Sequence, residues 1–273
     1  MQAVQGLTSK QFERIAALAY ERWGLHLTQA KYQLVTSRLT AFLRRSSHPD
    51  IAAYLDHIEH HASERDLLEF FDLLSTNVTS FFRDRAHFDY LERELLTGLA
   101  RGSTTLPNKR LRLWSAGCSI GCEPYTMAMV VYDTLREARG WDVRILATDL
   151  SNYAVGAARE GLYDAQAVEG LSKDLLERHF ERTRDGWSVR QHLRAMVQIG
   201  QLNLMEQWPM RGPFDVIFCR NVMIYFDAQT RERLVRRFVD LLRPGGILAV
   251  GSAETLAGMN VGLRAAMPSL NVK

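Results

Sequence analysis

The chain has 273 residues and a formal net charge of +3, with 47% hydrophobic and 24% charged residues. This composition is ordinary for a soluble globular protein and excludes the disordered, collagen-like and disulfide-scaffold classes. The charge is too small to imply nucleic-acid binding by itself, and the apolar runs are far shorter than the roughly 18 residues of a membrane helix. At roughly 150 residues per domain, the length allows one large α/β domain and a smaller one.

The N-terminus and the cysteines indicate a cytoplasmic protein. The chain begins Met-Gln-Ala-Val-Gln-Gly, with no basic stretch ahead of an apolar one, so we expect no signal peptide. Cys118, Cys122 and Cys219 form no even set and have no second pair beside them. We therefore expect neither disulfides nor a bound metal, and interpret all three as buried apolar side chains.

Roughly the first 100 residues have the apolar spacing of helices. Thr8 and Gln11 stand at capping-box spacing ahead of a helix that ends near Gly24. A second helix is predicted over Thr28–Arg45, and Pro49 is placed to open a third.

Two further helices complete this part of the chain. Ser63 and Asp66 are placed to cap a fourth helix that runs through Leu74, and residues 84–99 show helical spacing again. The polar segment 101–109 (RGSTTLPNK) then breaks the pattern, which makes it the predicted domain boundary.

Beyond residue 109, strand-like and helical patterns alternate, which is typical of a mostly parallel sheet covered by helices on both faces. The sequence thus divides into a helical N-terminal domain (1–76), an interdomain linker and helix (77–109) and an α/β domain (110–273). The predicted strands are Leu111–Ala116, Val143–Thr148, Phe214–Cys219 and Ile247–Gly251, and the predicted helices are Glu123–Arg139, one from about Ser151, and Ala228–Leu242.

Three strand ends carry residues that suit a ligand site, which in such sheets lies at the carboxyl ends of the strands. Gly117 and Gly121 would let the backbone approach a ligand closely, although an ordinary tight turn explains them equally well. Asp149 is placed to hold a ribose hydroxyl pair or, alternatively, to cap a helix. Arg220 and Asn221 follow a buried strand, where their burial is costly unless they meet a ligand or each other.

A further polar cluster lies between two helices of the N-terminal part. It contains Asn77, Thr79 and Arg83, of which the first two could instead cap the helix that follows. Tyr225 is expected on the loop over the same site.

Several motifs are spread over nearly the whole chain: Asn77-x-Thr79-x-Phe81-Phe82-Arg83, Trp114–Ala116, Gly121-x-Glu123-Pro124-Tyr125, Thr148-Asp149, Asn203-Leu204 and the long run Phe214–Phe226. Together they resemble the chemotaxis receptor methyltransferases, the CheR family. The resemblance implies a class I, Rossmann-like methyltransferase domain that binds S-adenosylmethionine, with a small β insertion and a preceding helical domain that contacts the receptor. It implies glutamate side chains of a receptor's cytoplasmic signalling domain as methyl acceptors.

The resemblance also implies roles for individual residues. Asn77, Thr79 and Arg83 match residues that reach over the cofactor from the interdomain segment. Glu123 matches a residue at the methionine end of the cofactor, and Asp149 matches the carboxylate that binds its ribose.

The remaining cofactor positions lie further along the chain. Asn203 and Leu204 match residues at the adenine, and Arg220 and Asn221 match residues beside the methionine moiety.

Two positions depart from the family pattern. Cys122 replaces the first of two glutamates, and Glu123 keeps the second, which we expect to be the ligand contact. The usual GHSES segment reads Gly251–Thr255 here, and we expect it to lie away from the site.

The implied reaction needs no general base. A glutamate carboxylate is already a nucleophile at neutral pH, so methyl transfer requires in-line placement and exclusion of water. Arg83 and Tyr225 match the pair next to the transferred methyl group. Arg83 could hold the carboxylate. Tyr225 could pack against the methyl group and offer its hydroxyl as an orienting hydrogen-bond donor.

Two other functions stay open on the sequence alone. A nucleic-acid methyltransferase is disfavoured by the small net charge and by Arg220–Met223, where amino-directed enzymes carry an Asn/Asp-Pro-Pro-aromatic motif. A catalytically weak scaffold that binds S-adenosylmethionine in a chemosensory array is disfavoured by the intact Arg83 and Tyr225. We expect a monomer that neither binds nucleic acid nor inserts into a membrane.

The helical domain carries a basic region, since residues 10–48 contain seven basic and two acidic side chains. Lys31, Arg38 and Arg45 are spaced seven apart and so share one face of the second predicted helix, with Arg44 beside them. This stripe is either a solvated surface or a docking surface for the acidic helices of a receptor.

The β insertion is predicted at about residues 182–201. Its predicted strands are Trp187–Val189 and Met196–Gly200, with a hairpin turn at Arg184–Gly186. In some family members such an insertion binds the C-terminal pentapeptide of a receptor as an added strand. Because the segment is short here, we expect docking through the helical domain without that tether.

Overall fold

A computed structural model describes residues 6–138 and 140–273 of the chain. Its N-terminal part is helical, as the apolar spacing predicts, and a helical rod leads from it to the second domain. The elements are α1 (Ser9–Trp23), a 3-10 turn (Gln29–Lys31), α2 (Tyr32–Leu43), α3 (Ile51–His60), α4 (Glu64–Leu74), and the rod formed by α5 (Ala86–Tyr90), a π-helical turn (Leu91–Leu96) and α6 (Thr97–Arg101).

Side-chain caps set where these helices begin. The capping boxes predicted at Thr8 and at Ser63 are both present. The third helix differs from the prediction, because Asp50 rather than Pro49 caps it by accepting the Ala53 N–H at 2.8 Å.

The second helix also ends earlier than predicted. It ends at Leu43, so Arg44 and Arg45 lie exposed in the turn that follows it.

The second domain alternates strands and helices, as the pattern predicts. Its strands are β1 (Arg110–Ala116), β2 (Asp142–Asp149), β3 (Leu162–Tyr163), β4 (Phe180–Arg182), β5 (Trp187–Val189), β6 (Val197–Gln201), β7 (Phe214–Cys219), β8 (Leu242–Val250), β9 (Arg264–Met267) and β10 (Leu270–Val272). Its helices are α7 (Cys122–Leu135), α8 (Asn152–Glu160), α9 (Ala165–Val168), α10 (Lys173–His179), α11 (Gln191–Arg194) and α12 (Ala228–Leu241). The predicted end of the first of these helices, Arg139, lies outside the described residues.

Seven strands form one sheet in the order β6-β2-β1-β7-β8-β10-β9. The first five strands of this order pair in parallel, whereas β10 pairs antiparallel with both β8 and β9. The chain passes from β1 to β2 on one side and later to β7 on the other side of β1, so strand order reverses between β1 and β7. A parallel sheet binds ligands at such a reversal.

The predicted β insertion needs correction. The small antiparallel sheet has the order β3-β5-β4, and the hairpin turn at Arg184–Gly186 joins β4 to β5 as predicted. However, β6 pairs in parallel with β2 and extends the large sheet. The short helix α11 separates β5 from β6, so the two cannot form a hairpin. The insertion therefore spans 162–189 rather than 182–201.

The helical domain shares an apolar cluster with one face of the large sheet and with the loops at its carboxyl ends. One apolar cluster joins Trp23 of α1 and Phe71 of α4 to Ile217 of β7 and Phe238 of α12. A second cluster, which includes α7 and the π-helical turn, covers the opposite face. The helical domain is therefore part of the same core and forms a wall beside the strand ends. In the part of the chain that the structure describes, no helix has the length and apolar character needed to cross a membrane.

Arg38 does not lie on an exposed stripe, contrary to the sequence prediction. Its guanidinium donates to the carbonyl oxygens of Leu73 (3.1 Å) and Ser75 and to the hydroxyl of Thr76 (3.3 Å). These bonds tie α2 to the end of α4, where the interdomain segment begins.

We predict that Arg38→Met lowers the free energy of unfolding by about 1–3 kcal/mol, because the partly buried carbonyl oxygens of Leu73 and Ser75 lose their donor. The control Arg45→Met removes an exposed arginine and should change stability by less than about 0.5 kcal/mol. Urea denaturation measures both values. Equal effects of the two substitutions would contradict the structural role of Arg38.

Candidate active site between the two domains

One cavity lies between the helical domain and the carboxyl ends of β1, β2 and β7. Every residue that the sequence analysis assigned to cofactor binding or catalysis lines it: Asn77, Thr79, Arg83, Glu123, Asp149, Asn203, Leu204, Arg220, Asn221 and Tyr225. Lys31 also lines the cavity, so this predicted docking residue lies beside the site. The structure brings these side chains together, while the role of each stays a prediction.

Arg220 is a buried cation that connects three parts of the site. Its side chain is 2% exposed, and it donates to the Glu123 carboxylate at 3.0 Å and to the Asp84 carboxylate at 2.6 Å. It also donates to the backbone carbonyl of Arg83 at 2.6 Å. The end of β7, the start of α7 and the interdomain segment therefore meet at one guanidinium. The sequence predicted that a buried Arg220 needs a partner, and two carboxylates of the protein, Glu123 and Asp84, fill that role.

Glu123 lies at the start of α7 and is held from two sides. One carboxylate oxygen accepts the Ser115 hydroxyl at 2.7 Å, and the other accepts the bond from Arg220. Burial raises the pKa of Glu123, and Arg220 and Ser115 act in the opposite direction. The carboxylate thus has a fixed position on the cavity wall.

Asp149 caps the turn around the end of β2. Its carboxylate accepts the N–H of Ser119 at 2.8 Å and the N–H of Ser151 at 3.0 Å. Burial raises the pKa of Asp149, and these N–H groups oppose the shift. Each oxygen keeps a lone pair, so a hydroxyl donor in the cavity would stabilise the charged form further.

The interdomain segment forms the rim of the cavity. The Asn77 carbonyl accepts the Ser119 hydroxyl at 3.2 Å, and the Asn77 amide donates to the Ser151 hydroxyl at 3.4 Å. Arg83 is half-buried and donates through Nη1 to the Val78 carbonyl at 3.0 Å. A guanidinium has five N–H groups, so most of the donors of Arg83 remain for another acceptor.

Asn203 joins the two domains. Its amide donates to the carbonyl of Arg22 at 3.2 Å and to the Glu206 carboxylate at 2.9 Å, and its oxygen accepts the Met205 N–H at 3.0 Å. The side chain is thus engaged within the protein. Leu204 follows it as a buried apolar residue on the cavity wall.

The glycines of the first strand-to-helix turn serve protein packing. Gly117 has a φ of 81° and Gly121 a φ of 95°, a region that favours glycine. An added Cβ would lie 2.2 Å from Val222 at the first position and 2.9 Å from the Tyr163 hydroxyl at the second. Close approach of the chain to itself therefore requires both glycines, which fits the tight-turn alternative of the sequence analysis, and Gly117 also lines the cavity.

Tyr225 lies at the end of the loop that follows β7. Its carbonyl accepts the N–H of His26 at 2.7 Å, which fixes the loop to the helical domain. Burial raises the pKa of the Tyr225 phenol, and the Thr76 hydroxyl and the charges of Arg38 and Arg83 oppose the shift. The phenol therefore stays protonated at neutral pH and can donate a hydrogen bond.

Glu254 is a site residue that the sequence analysis missed. Its buried carboxylate accepts the N–H groups of Asn221 (2.9 Å), Ile224 (3.0 Å) and Gly251 (2.5 Å). The segment Gly251–Thr255 does not line the cavity, but Glu254 supports the loop that carries Tyr225. A buried acid needs such partners. The sequence did hold a sign of this role, because Glu254 closely follows a strand of the sheet.

The cysteines are buried, as predicted. Burial raises the pKa of Cys122 to about 12, and it raises the pKa of Cys118 and Cys219 well above the usual range. None of them is a thiolate nucleophile at neutral pH. Within residues 6–138 and 140–273, no group of three or more His, Cys, Asp or Glu side chains could hold a metal ion.

Two family models match the chain and together cover most of it. Residues 77–268 match "CheR methyltransferase, SAM binding domain", and residues 10–75 match "CheR methyltransferase, all-alpha domain". The boundary between the two models coincides with the start of the interdomain segment at Asn77.

Several curated relatives are similar over almost their full length. A chemotaxis protein methyltransferase of Borreliella burgdorferi is 37% identical over 96% of this chain and 94% of its own length. That of Escherichia coli is 38% identical over 92% of this chain and 86% of its own. Chemotaxis protein methyltransferase 2 of Pseudomonas aeruginosa is 39% identical over 90% and 87%.

We predict that Glu254→Gln releases the loop after β7, because an amide oxygen cannot replace both carboxylate oxygens as acceptors. Amide hydrogen exchange should accelerate at Asn221 and Ile224 and stay slow at Ile217 within β7. Glu232→Gln on the exposed side of α12 is the matched control and should leave all three amides unchanged. Unchanged exchange at Asn221 and Ile224 in the Glu254 variant would refute this supporting role.

Proposed function

The chain belongs to the CheR family of S-adenosylmethionine-dependent methyltransferases, and we propose that it methylates glutamate side chains in the cytoplasmic signalling domain of a chemotaxis receptor. The products are glutamyl methyl esters and S-adenosylhomocysteine. The cavity between the two domains carries this proposal. It combines fixed carboxylates at the strand ends with a cation, Arg83, and a neutral phenol, Tyr225, on the side of the interdomain segment and the loop after β7.

The residues of the cavity fit S-adenosylmethionine. Asp149 offers acceptor oxygens for a ribose, and Leu150, Leu202 and Leu204 offer apolar surface for a purine ring. Glu123 offers a carboxylate for the amino group of the methionine end. When bound, the cofactor supplies a methyl group on a positively charged sulfur.

The reaction requires positioning and no proton transfer. A carboxylate oxygen of the substrate forms the new bond to the methyl carbon, and the bond from carbon to sulfur breaks with its electrons going to sulfur. The substrate carboxylate is ionised at neutral pH, so the protein has to place it in line and exclude water. Asp149 and Glu254, which fix backbone N–H groups around the site, suit a reaction that depends on alignment and needs no proton acceptor.

Arg83 and Tyr225 are the residues that we assign to the substrate carboxylate and the methyl group. Arg83 keeps free N–H donors for a charge-assisted bond to the incoming carboxylate. Tyr225 keeps its proton, so its hydroxyl can orient the carboxylate without competing as a nucleophile. Both are anchored through their own backbone carbonyls, to Arg220 and to His26.

We further propose that the protein acts as a cytoplasmic monomer that binds no nucleic acid. Receptor docking is assigned to Arg44 and Arg45, the exposed end of the predicted basic stripe. We leave Arg38 out of this docking surface because its guanidinium is bonded to the end of α4, and Lys31 because it lines the cavity. We also expect no low-micromolar binding of receptor C-terminal pentapeptides, which calorimetric titration measures directly.

Incubation with methyl-labelled S-adenosylmethionine and receptor-containing membranes tests the activity. The proposal expects label on the receptor that alkali releases as methanol, which is the behaviour of a carboxyl ester. Alkali-stable label in nucleic acid would indicate the nucleic-acid enzyme instead. Cofactor binding without any incorporation would indicate the scaffold.

Arg83→Ala should mainly lower kcat, whereas Asp149→Ala should mainly lower cofactor affinity. We predict that the first lowers kcat by about 100-fold or more and cofactor affinity by less than about threefold, because it removes a transition-state contact. The second should weaken cofactor binding by about tenfold or more, since it removes a ribose acceptor.

Matched controls lie close to each residue. Arg85→Ala removes an exposed arginine two residues further on, and Asp142→Ala removes an acid at the opposite end of β2. Both should retain kcat and cofactor affinity in kinetics and calorimetry. Equal losses of binding and rate in the Arg83 variant would make Arg83 a plain cofactor contact, and unchanged affinity in the Asp149 variant would refute the ribose assignment.

Charge reversal tests the docking surface. Arg44→Glu with Arg45→Glu should raise KM for the receptor several-fold at low salt, and the difference should shrink as salt increases, because surface charges steer the encounter. Arg93→Glu with Arg136→Glu, two exposed arginines outside the helical domain, is the control. An equal KM for both double variants at low salt would show that Arg44 and Arg45 belong to an ordinary solvated surface and do not dock the receptor.

A further inference from the structure

Two apolar side chains at the cavity are exposed to solvent. Val78 is 75% exposed and Ile224 is 51% exposed, and both line the cavity. Val78 lies in the interdomain segment, and Ile224 lies in the 3-10 turn Met223–Tyr225. Exposed aliphatic residues are common on protein surfaces when they occur singly. Two of them beside the same catalytic cavity provide apolar surface that a bound substrate can cover.

Both residues are held in place by the site itself. The Val78 carbonyl accepts a bond from Arg83 Nη1 at 3.0 Å. The Ile224 N–H donates to the buried Glu254 carboxylate at 3.0 Å. Ile224 also directly precedes Tyr225. The two aliphatic side chains are therefore positioned together with the two residues that we assign to the substrate carboxylate and the methyl group.

We propose, on the basis of the function proposed above, that Val78 and Ile224 form an apolar rim that selects the residues around the target glutamate. The rim would contact small or aliphatic side chains that lie one helical turn before and after that glutamate. It would disfavour charged side chains at those positions, because they would lose hydration without gaining a partner.

The geometry of a helix leads to this specificity. A helix with its side chains is about 10 Å wide, and the proposal places the helix across the mouth of the cavity with the glutamate side chain extended into it. Residues three or four positions away lie on the same helix face, about 5–6 Å from it, and they meet the rim. Lys31 and Arg83 line the same cavity and complement the charge of an acidic helix.

The test uses Val78→Thr combined with Ile224→Thr, and a receptor cytoplasmic fragment as methyl acceptor. Threonine keeps the shape of valine and replaces a methyl group by a hydroxyl, so the change at Val78 is mainly one of polarity. At Ile224 the substitution also removes one methyl carbon, so it reduces both size and apolar surface. We expect KM for the fragment to rise about 3- to 10-fold from the apolar surface lost. The kcat and the calorimetric affinity for S-adenosylmethionine should stay within about twofold. The single variants should each show part of the rise, so the test does not depend on the double variant.

The control Tyr153→Ser changes a side chain that is 67% exposed and is not among those lining the cavity. Its KM should equal that of the wild type. Fragments with serine in place of the aliphatic residues one turn from the glutamate should raise KM for the wild type and have no further effect on the Val78 and Ile224 double variant.

Two outcomes would overturn the inference. One is an unchanged KM in both single variants, and the other is an equal rise in the Tyr153 control. In both cases the wild type still methylates the fragment, so the proposed function stands. A wild type that methylates no receptor fragment contradicts the function itself.

Discussion

The burial of one positive charge organises the site. Arg220 follows a strand whose six residues are all buried, and its guanidinium is surrounded by Glu123, Asp84 and the carbonyl of Arg83. Taking a guanidinium out of water is costly, and the cost is offset only when acceptors are placed around it. The start of α7 and the interdomain segment must therefore converge on the end of β7. That convergence positions Arg83 on the cavity and closes the site between the domains.

The acids of the site mainly hold the backbone. Asp149 accepts two N–H groups around the end of β2, and Glu254 accepts three around the loop after β7. Such carboxylates make strand-end loops rigid, which a reaction that depends on alignment requires. Glu123 instead holds two side chains, since it accepts from the Ser115 hydroxyl and the Arg220 guanidinium. A site of this kind stabilises geometry, and the reactive groups come from the substrate and the cofactor.

The sequence predicts the local structure and the membership of the site better than it predicts long-range pairing. The capping boxes at Thr8 and Ser63 and the strand Phe214–Cys219 follow from neighbouring residues, and all appear as predicted. Because the strand ends of a parallel sheet converge, Asp149, Arg220 and Asn221 could be grouped from the pattern alone. Glu123, Asn203 and Leu204 were added only by the resemblance to the CheR family. By contrast, the apolar pattern of Met196–Gly200 predicts a strand without indicating its partner, so the place of the observed strand Val197–Gln201 beside β2 was missed.

The sequence also could not predict contacts between polar groups that are far apart in the chain. Helical periodicity placed Arg38 on a shared face with Arg45, but it could not show that the end of α4 presents carbonyl oxygens to Arg38. The role of Glu254 depends on a turn that lies 33 residues from Asn221 in the sequence. The sequence left two explanations of Gly117 open, a ligand or a tight turn, because the close approach of Val222 is a tertiary contact.

The pH dependence of kcat is the most direct test of a site that positions its substrate without a general base. The rate should rise with ionisation of the substrate glutamate near about pH 4–5 and stay level from about pH 6 to 9, where the substrate carboxylate stays ionised and no catalytic group changes its charge. A rate that follows a protein group titrating between about pH 6 and 8 would contradict the account, since it would require a proton acceptor in the chemical step.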